Sequence, residues 1–274
     1  MVPWVYEFHW TAFHVTFLLI FFTVFVTVAA TIIIALRRTQ QDEQQHRMES
    51  IQWHSDFEDL APAMKVCRHE LNGDVQHRVC DNEFDCRSCT LHPVFSARKK
   101  KGSLLQYEVY GFSMPPYRLY HRGHTWVQQE DDGTFKVGID DFGSRIIGRP
   151  HSIELPPIGS HLSVNGRGIL VRRSDSTIRL LSPIDGEVIG HGNSEKGWYL
   201  KVRADNPERA TTHLLKAEEV PNWILREMER LQFSFATSGV GATLADGGEL
   251  VPDFHKHFPK ADWDSVLGQM FLEA

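Results

Sequence analysis

Hydrophobic positions fall into three regimes along this chain. From Trp10 to Leu36 there is no Asp, Glu, Lys or Arg, and Phe, Val, Ile and Leu dominate. At about 1.5 Å per residue, a helix of that length crosses the roughly 30 Å hydrocarbon core of a bilayer. Thr39 to Ser55 is polar and Gln-rich without Gly or Pro, which predicts a helix continuing beyond the apolar run, or a stalk. Further on, short apolar runs (Phe135–Ile139, Ile169–Val171, Ile178–Leu181) alternate with Gly, Pro, Asn and Asp, the pattern of strands in a sandwich or barrel. After Val202 the period lengthens: Leu214, Leu215, Ala217, Val220, Ile224, Leu225, Met228 and Leu231 recur at helical spacing, with charged residues between them. Pro221 is expected to kink or divide that stretch. Trp263, Val266, Leu267, Met270 and Phe271 predict a terminal helix that docks on the domain or on a partner. The fold class expected is therefore α+β: one N-terminal transmembrane helix, a β-rich domain and a helical C-terminal tail.

Charge refines the reading of the first segment. A secretory signal has a basic start and an apolar stretch of about 7–15 residues, whereas Met1–His9 has Glu7 and no Lys or Arg, and the apolar run is longer. Arg37 and Arg38 follow that run directly, so the bias of basic residues toward the inner side places the bulk of the chain in the cytoplasm and residues 1–9 outside. This predicts a single-pass protein of the inner (cytoplasmic) membrane, with Trp4, Tyr6 and Trp10 as outer interfacial anchors. His9 and His14 lie near the same interface, where they neighbour those aromatics, contact another subunit, or ligate a haem that partner helices help enclose. The basic run Arg98–Lys101 reads as a solvated linker or a contact for anionic headgroups. With a net charge of −6 and no aromatic residues interleaved in that run, nucleic acid is not an expected partner.

All four cysteines, Cys67, Cys80, Cys86 and Cys89, fall in one short segment, spaced C-x12-C-x5-C-x2-C. Disulfides are disfavoured in the cytoplasm, and clustered thiols that include a Cys-x-x-Cys pair point to a metal. Four thiolates at these spacings are able to close a tetrahedral site for zinc or to ligate an iron–sulphur cluster. His69, His77 and His92 are possible replacements for one cysteine. A redox-active Cys86–Cys89 dithiol with two unrelated buried thiols is the competing reading.

The remaining signal lies between Leu119 and Arg203. In order come His124-Thr125-Trp126-Val127, then Val137-Gly138-Ile139-Asp140-Asp141-Phe142-Gly143, Ile147-Gly148 and Ile153–Gly159. Ser182-Pro183-Ile184-Asp185-Gly186-Glu187-Val188 follows, taken as the turn of a β-hairpin, and then Gly197–Val202. These segments resemble the H protein of the glycine cleavage system, the carrier of a lipoyl arm, and the resemblance implies an H-protein-like barrel-sandwich domain. In that family the lipoylated lysine sits in a hairpin eight positions before the proline of the Pro-x-x-Gly-Glu-Val turn, a position occupied here by Asp175. No lysine occurs between Lys136 and Lys196, and Arg172, Arg173 and Arg179 cannot replace it, because a guanidinium stays protonated. The resemblance therefore implies the scaffold without lipoate. A four-cysteine segment placed before such a domain also resembles the arrangement in bacterial, mostly anaerobic, H-like proteins.

No Gly-x-Ser-x-Gly, His-Glu-x-x-His or P-loop occurs, and Asp140, Asp141 and Glu154 read as surface or turn acids. No catalysis is expected. The organisation expected is an external N-terminus (1–9), a transmembrane helix (10–36), a polar stalk (37–61) and a four-cysteine metal-binding segment (62–97). A linker (98–116), the H-protein-like β domain (117–207) and a helical tail (208–274) complete it. The function expected is a non-catalytic, membrane-anchored accessory subunit of a respiratory or other electron-transfer complex, docking integral-membrane and cytoplasmic subunits. A membrane-bound redox-sensing or signalling adaptor is the alternative, and a lipoyl carrier is opposed by the missing lysine.

Overall fold

The computed structural model describes residues 11–44, 56–97, 107–173, 176–237, 258 and 261–273. Trp4, Tyr6, His9, Trp10, residues 45–55, the basic run 98–101, Asp175 and the glycine-containing stretch 238–248 lie outside them. The chain forms two compact units, Met1–Gln45 and His46–Ala274.

The first unit is helix α1, Ala12–Gln44, which runs on through Arg37 and Arg38 past the end of the apolar stretch. Residues Ala12–Ala35 are long and apolar enough to cross a membrane. The threonines in that stretch suit lipid because each hydroxyl returns a hydrogen bond to a carbonyl of the preceding turn: Thr23 to Leu19 at 2.7 Å, Thr27 to Val24 at 2.8 Å, Thr31 to Val28 at 2.8 Å. Phe13, Phe17, Phe21 and Phe25 stack at successive i,i+4 positions with centroids 6.3–6.4 Å apart. His14 Nδ1 is bonded to Thr11 Oγ1 at 2.6 Å.

The second unit is built on antiparallel strands. After a small β1/β2 pair (Glu108–Val109, Phe112–Ser113) come β3 (Leu119–Tyr120), β4 (Thr125–Gln129) and β5 (Phe135–Ile139). They are followed by β6 (Ser152–Glu154), β7 (His161–Leu162), β8 (Arg167–Arg172), β9 (Thr177–Leu181), β10 (Gly186–Asn193) and β11 (Trp198–Ala204). A six-stranded sheet in the order β3-β4-β5-β11-β10-β7 curls against a three-stranded sheet, β6-β8-β9. Alternation along the strands explains the layering: Phe135, Val137, Val188, Leu200 and Val202 from one sheet and Ile169, Val171, Ile178 and Leu180 from the other are all buried in one core.

Two expectations are corrected. Ser182–Asp185 is not a hairpin turn, because β9 pairs with β8 while β10 pairs with β11 and β7. It is a corner that carries the chain from one sheet to the other, and Gly186 makes it possible. Its φ is +151°, and a Cβ there would overlap the carbonyl oxygen of Arg203. Nor does Pro221 divide two helices. The tail helix is Val220–Thr237, with Pro221 in its first turn, where a missing N–H leaves no hydrogen bond unmade. Leu214 and Leu215 precede the helix and are buried, Leu215 exchanging two backbone hydrogen bonds with Tyr120 at 2.9 and 2.8 Å.

The short helices are α2 (Arg68–Leu71), α3 (His92–Ser96) and α4 (Asp141–Ile147), and the tail helices are α5 (Val220–Thr237) and α6 (Trp263–Phe271). α6 docks on its own domain, burying Trp263, Val266, Leu267, Met270 and Phe271 in the main core.

Candidate functional site

The four cysteines line a single cavity, together with Arg68, Arg78, Arg122 and His213 among others. Local pairing explains half of this convergence. An antiparallel bridge joins Val66 to Val79, with the Cys67 N–H donating to the Arg78 carbonyl at 2.9 Å and the Cys80 N–H to the Lys65 carbonyl at 2.5 Å. In that register Cys67 faces Arg78, and Cys80, two residues on, lies on the same side. Asn82 shapes the return: its amide donates to the Asp85 carbonyl and, at 2.9 Å, to Ser88 Oγ, closing the loop that carries Cys86 and Cys89.

All four thiols are free. Burial pushes Cys86 up to about 11, against the nearby Arg68 guanidinium, which pulls it down; burial also raises Cys80. Among the described residues no group of three His, Cys, Asp or Glu side chains is placed to hold a metal ion. Of the histidines considered as substitutes, His69 has both ring nitrogens engaged, Nδ1 with Asp74 at 2.9 Å and Nε2 with His92 at 3.0 Å. His77 does not line the cavity, whereas His213 does, a residue that spacing within the cysteine segment does not reveal.

The segment is clasped to the β domain rather than strung before it. Arg68 Nε donates to Glu219 Oε1 at 2.6 Å and its Nη1 to the Thr212 carbonyl at 2.9 Å, both in the approach to α5. Arg87 bridges Asp85 at 2.8 Å and Asp185 of the inter-sheet corner. Asn165 donates to the Glu83 carbonyl at 2.6 Å. Arg122, 6 % exposed, lies over the Phe84 ring at 4.0 Å and donates to the Val66 carbonyl.

The β8–β9 hairpin, the one in which the H-protein resemblance puts a lipoyl lysine, has Arg172 and Thr177 as its last paired residues. Flanking pieces of the same chain cover it. The Arg173 guanidinium sits 5.5 Å from the centroid of the Trp263 ring in α6, and the Arg179 N–H donates to Glu273 at 2.7 Å while its guanidinium pairs with Asp56. Phe57, Leu60, Phe84, Leu181 and Leu272 close a small second core there.

A buried charge network lies in the main core. His124, 0 % exposed, donates from Nδ1 to Asp140 Oδ2 at 3.0 Å, and its Nε2 stands 3.8 Å from Glu227 Oε2, too long for a hydrogen bond but close for charge attraction. Its ring is stacked between Phe142 at 4.9 Å and Trp223 at 5.1 Å. Burial disfavours the imidazolium, yet the two carboxylates outweigh it and raise His124 to about 9; Arg230 and His124 hold Glu227 down at about 2 despite its own burial. Asp140 is thus not a surface acid. It caps α4 by accepting from the Gly143 N–H at 2.7 Å and anchors the histidine with its other oxygen. His124 adopts φ +60°, and Gly143 permits the ring's approach, since a Cβ there would crowd the His124 side chain.

Two antiparallel sheets joined through an inter-sheet corner, with a covered β8–β9 hairpin and a helical tail, define a curled β half-barrel. A family model described as glycine cleavage H-protein matches residues 118–227. The H protein of Rhodospirillum rubrum is 31 % identical over 97 residues, covering 31 % of this chain and 77 % of that protein. The H protein of Edwardsiella ictaluri is 27 % identical over 119 residues, 39 % of this chain and 92 % of its own. A crystal structure of the H protein from Mycobacterium marinum aligns with 22 % identity and a TM-score of 0.35, covering 39 % of this chain and 94 % of that one. The chain belongs to the glycine cleavage H-protein family. The matched region includes the inter-sheet corner and ends at Glu227, leaving α1, the cysteine segment and α6 outside it.

Proposed function

We propose that this chain is a membrane-anchored, non-lipoylated H-fold protein that serves as a docking subunit of a membrane electron-transfer complex, with its C-terminal unit in the cytoplasm. The observation that carries this reading is the lysine-free interval between Lys136 and Lys196, which spans the whole β8–β9 hairpin. The cover that α6 and Asp56 lay over β9 supports it, because a swinging arm needs a free hairpin. Arg37 and Arg38 at the end of the apolar stretch support the cytoplasmic orientation. Docking is favoured over catalysis because the titratable residues of the buried network are packed in the core rather than open to a substrate.

Intact-mass measurement of the full-length protein, made in a host with active lipoate ligation, tests the central claim. The expected mass is that of the unmodified chain, and a lipoyl adduct on any residue refutes it. The docking role is tested on native gels of membranes solubilised in mild detergent. Migration with stoichiometric oxidoreductase subunits is expected, and migration as a lone chain refutes it.

Four free thiols around one cavity favour a second reading, a redox-sensing adaptor. That reading requires a reversible disulfide among them, which differential alkylation before and after oxidation detects.

A further inference from the structure

We infer that the cavity between the cysteine segment and the β domain holds a thiolate-ligated metal centre, a zinc ion or an iron–sulphur cluster, whose negative charge is balanced by the buried guanidinia of Arg68 and Arg122. The inference does not depend on the docking role or on the absence of lipoate.

Beyond the four sulfurs, two residues lining this cavity carry a buried polar atom without a partner: Nε of Arg122 and Nδ1 of His213. They ask for opposite things. Arg122 Nε carries a hydrogen and needs an acceptor. His213 Nε2 lies 2.7 Å from the Pro183 carbonyl and must be the protonated nitrogen, so Nδ1 presents a bare lone pair that needs a metal or a donor. Four neutral thiols satisfy neither well, because S–H is a weak donor and its sulfur a weak acceptor. A metal bound by thiolates answers the first of these, since its sulfurs accept from Arg122.

Charge leads to the same conclusion. Arg122 is buried against a carbonyl and an aromatic face; the Glu227 carboxylate attracts it from a distance but makes no hydrogen bond to it, and burial lowers the guanidinium to about 10. Buried guanidinium is retained where an anion offsets it. Four thiolates around a divalent ion, or around a cluster, supply that anion. Arg68, from the residue next to Cys67, adds a second cation already oriented by Glu219.

Geometry states what loading must do. Cys67 and Cys80 share one side of the Val66–Val79 bridge, whereas Cys86 and Cys89 ride on a half-buried turn. Because no three liganding side chains yet surround one point, binding draws that turn inward. Each thiol that becomes a ligand gives its proton to solvent, and no electron changes hands.

The test uses full-length protein purified anaerobically in detergent. Zinc, iron and acid-labile sulfide are measured per chain, with a visible spectrum: one equivalent of zinc and no colour, or iron with matching sulfide and broad visible absorption, supports the proposal and identifies the centre. Cys86→Ser should lose most of the metal. Arg122→Met, folded by circular dichroism, should release it to a chelator about 10–100-fold faster, the scale for removing a hydrogen-bond partner of a metal ligand, and Arg122→Lys should recover much of that. If Cys86→Ser fails to fold, chelation of the unaltered protein followed by hydrogen exchange is used; new exchange confined to 62–97 supports the proposal. A substoichiometric trace of metal with four maleimide-reactive thiols, a Cys86–Cys89 disulfide in the isolated protein, or Arg122→Met releasing metal at the unaltered rate overturns it.

Discussion

Replacing Glu227 with Gln tests whether the buried network holds the β domain to its helical tail. The carboxylate is 1 % exposed and accepts from Trp223 Nε1 at 3.1 Å and from Arg230 at 2.8 and 2.7 Å, while facing His124 at 3.8 Å. Glutamine is isosteric and keeps an acceptor for Trp223, so the substitution removes charge rather than shape. At an effective dielectric of about 20, two unit charges separated by the His124–Glu227 distance attract by roughly 4 kcal/mol. That figure falls within the roughly 3–5 kcal/mol typical of breaking a buried pair. His124 limits the loss by shedding its proton. Its elevation from 6.5 to about 9 corresponds to a contribution on the order of 3 kcal/mol, which Asp140, the larger cause, shares with Glu227. For a unit of this size, each kcal/mol moves Tm by about 2–4 °C, so a fall of about 10 °C at pH 6 is expected. The pH profile carries the sharper signature. Because the folded-state pKa is raised, the histidine's contribution is fully present below pH 6.5 and is lost as pH rises through about 9. The gap between the unaltered protein and Glu227→Gln should therefore be largest near pH 6 and shrink by pH 10. Differential scanning fluorimetry across that range is the assay. A Tm change below about 2 °C at pH 6, or a gap that is unchanged at pH 10, would show that His124 is neutral in the folded protein and refute the network as described.

Three further outcomes are expected. Glu219→Gln leaves Arg68 short of its buried carboxylate and should cost about 3 kcal/mol, seen first as faster amide exchange in 62–97 than in β4, β5 and β11; uniform exchange across the unit would contradict the clasp. Gly186→Ala forces a Cβ onto the backbone of Arg203 at a φ that L residues rarely adopt, and should destabilise the unit by more than about 3 kcal/mol in urea, with unfolding midpoints near the parent's as the contrary result. Deleting residues 1–36 should convert a carbonate-resistant membrane protein into a soluble one with the parent's Tm, because the second unit has its own core; pelleting of the truncated chain would count against α1 as the anchor.

Periodicity alone set out the large parts. An uncharged apolar run imposes a helix because lipid offers backbone groups no other partner, and that constraint needs no tertiary information. Strand runs punctuated by Gly and Pro gave the β domain, and the helical stripe gave α5, since burying one face requires a matching period. The same period let Leu214 and Leu215 pass as helical, although long-range pairing with Tyr120 holds them extended. Ser182–Asp185 read as a hairpin because a turn signal says where the chain bends, not which strand it joins next. Four clustered cysteines are legible as a local cluster, but Arg122 and His213, which line the same cavity, are distant in sequence and ordinary in composition. Asp140 looked like a turn acid because a carboxylate's role depends on what is packed beside it, and only the fold brings His124 from β4's approach and Glu227 from α5 to the same buried point. Local spacing governs what a segment becomes; charge complementarity across the core depends on contacts between residues far apart in the chain, and those exist only once the sheets have closed.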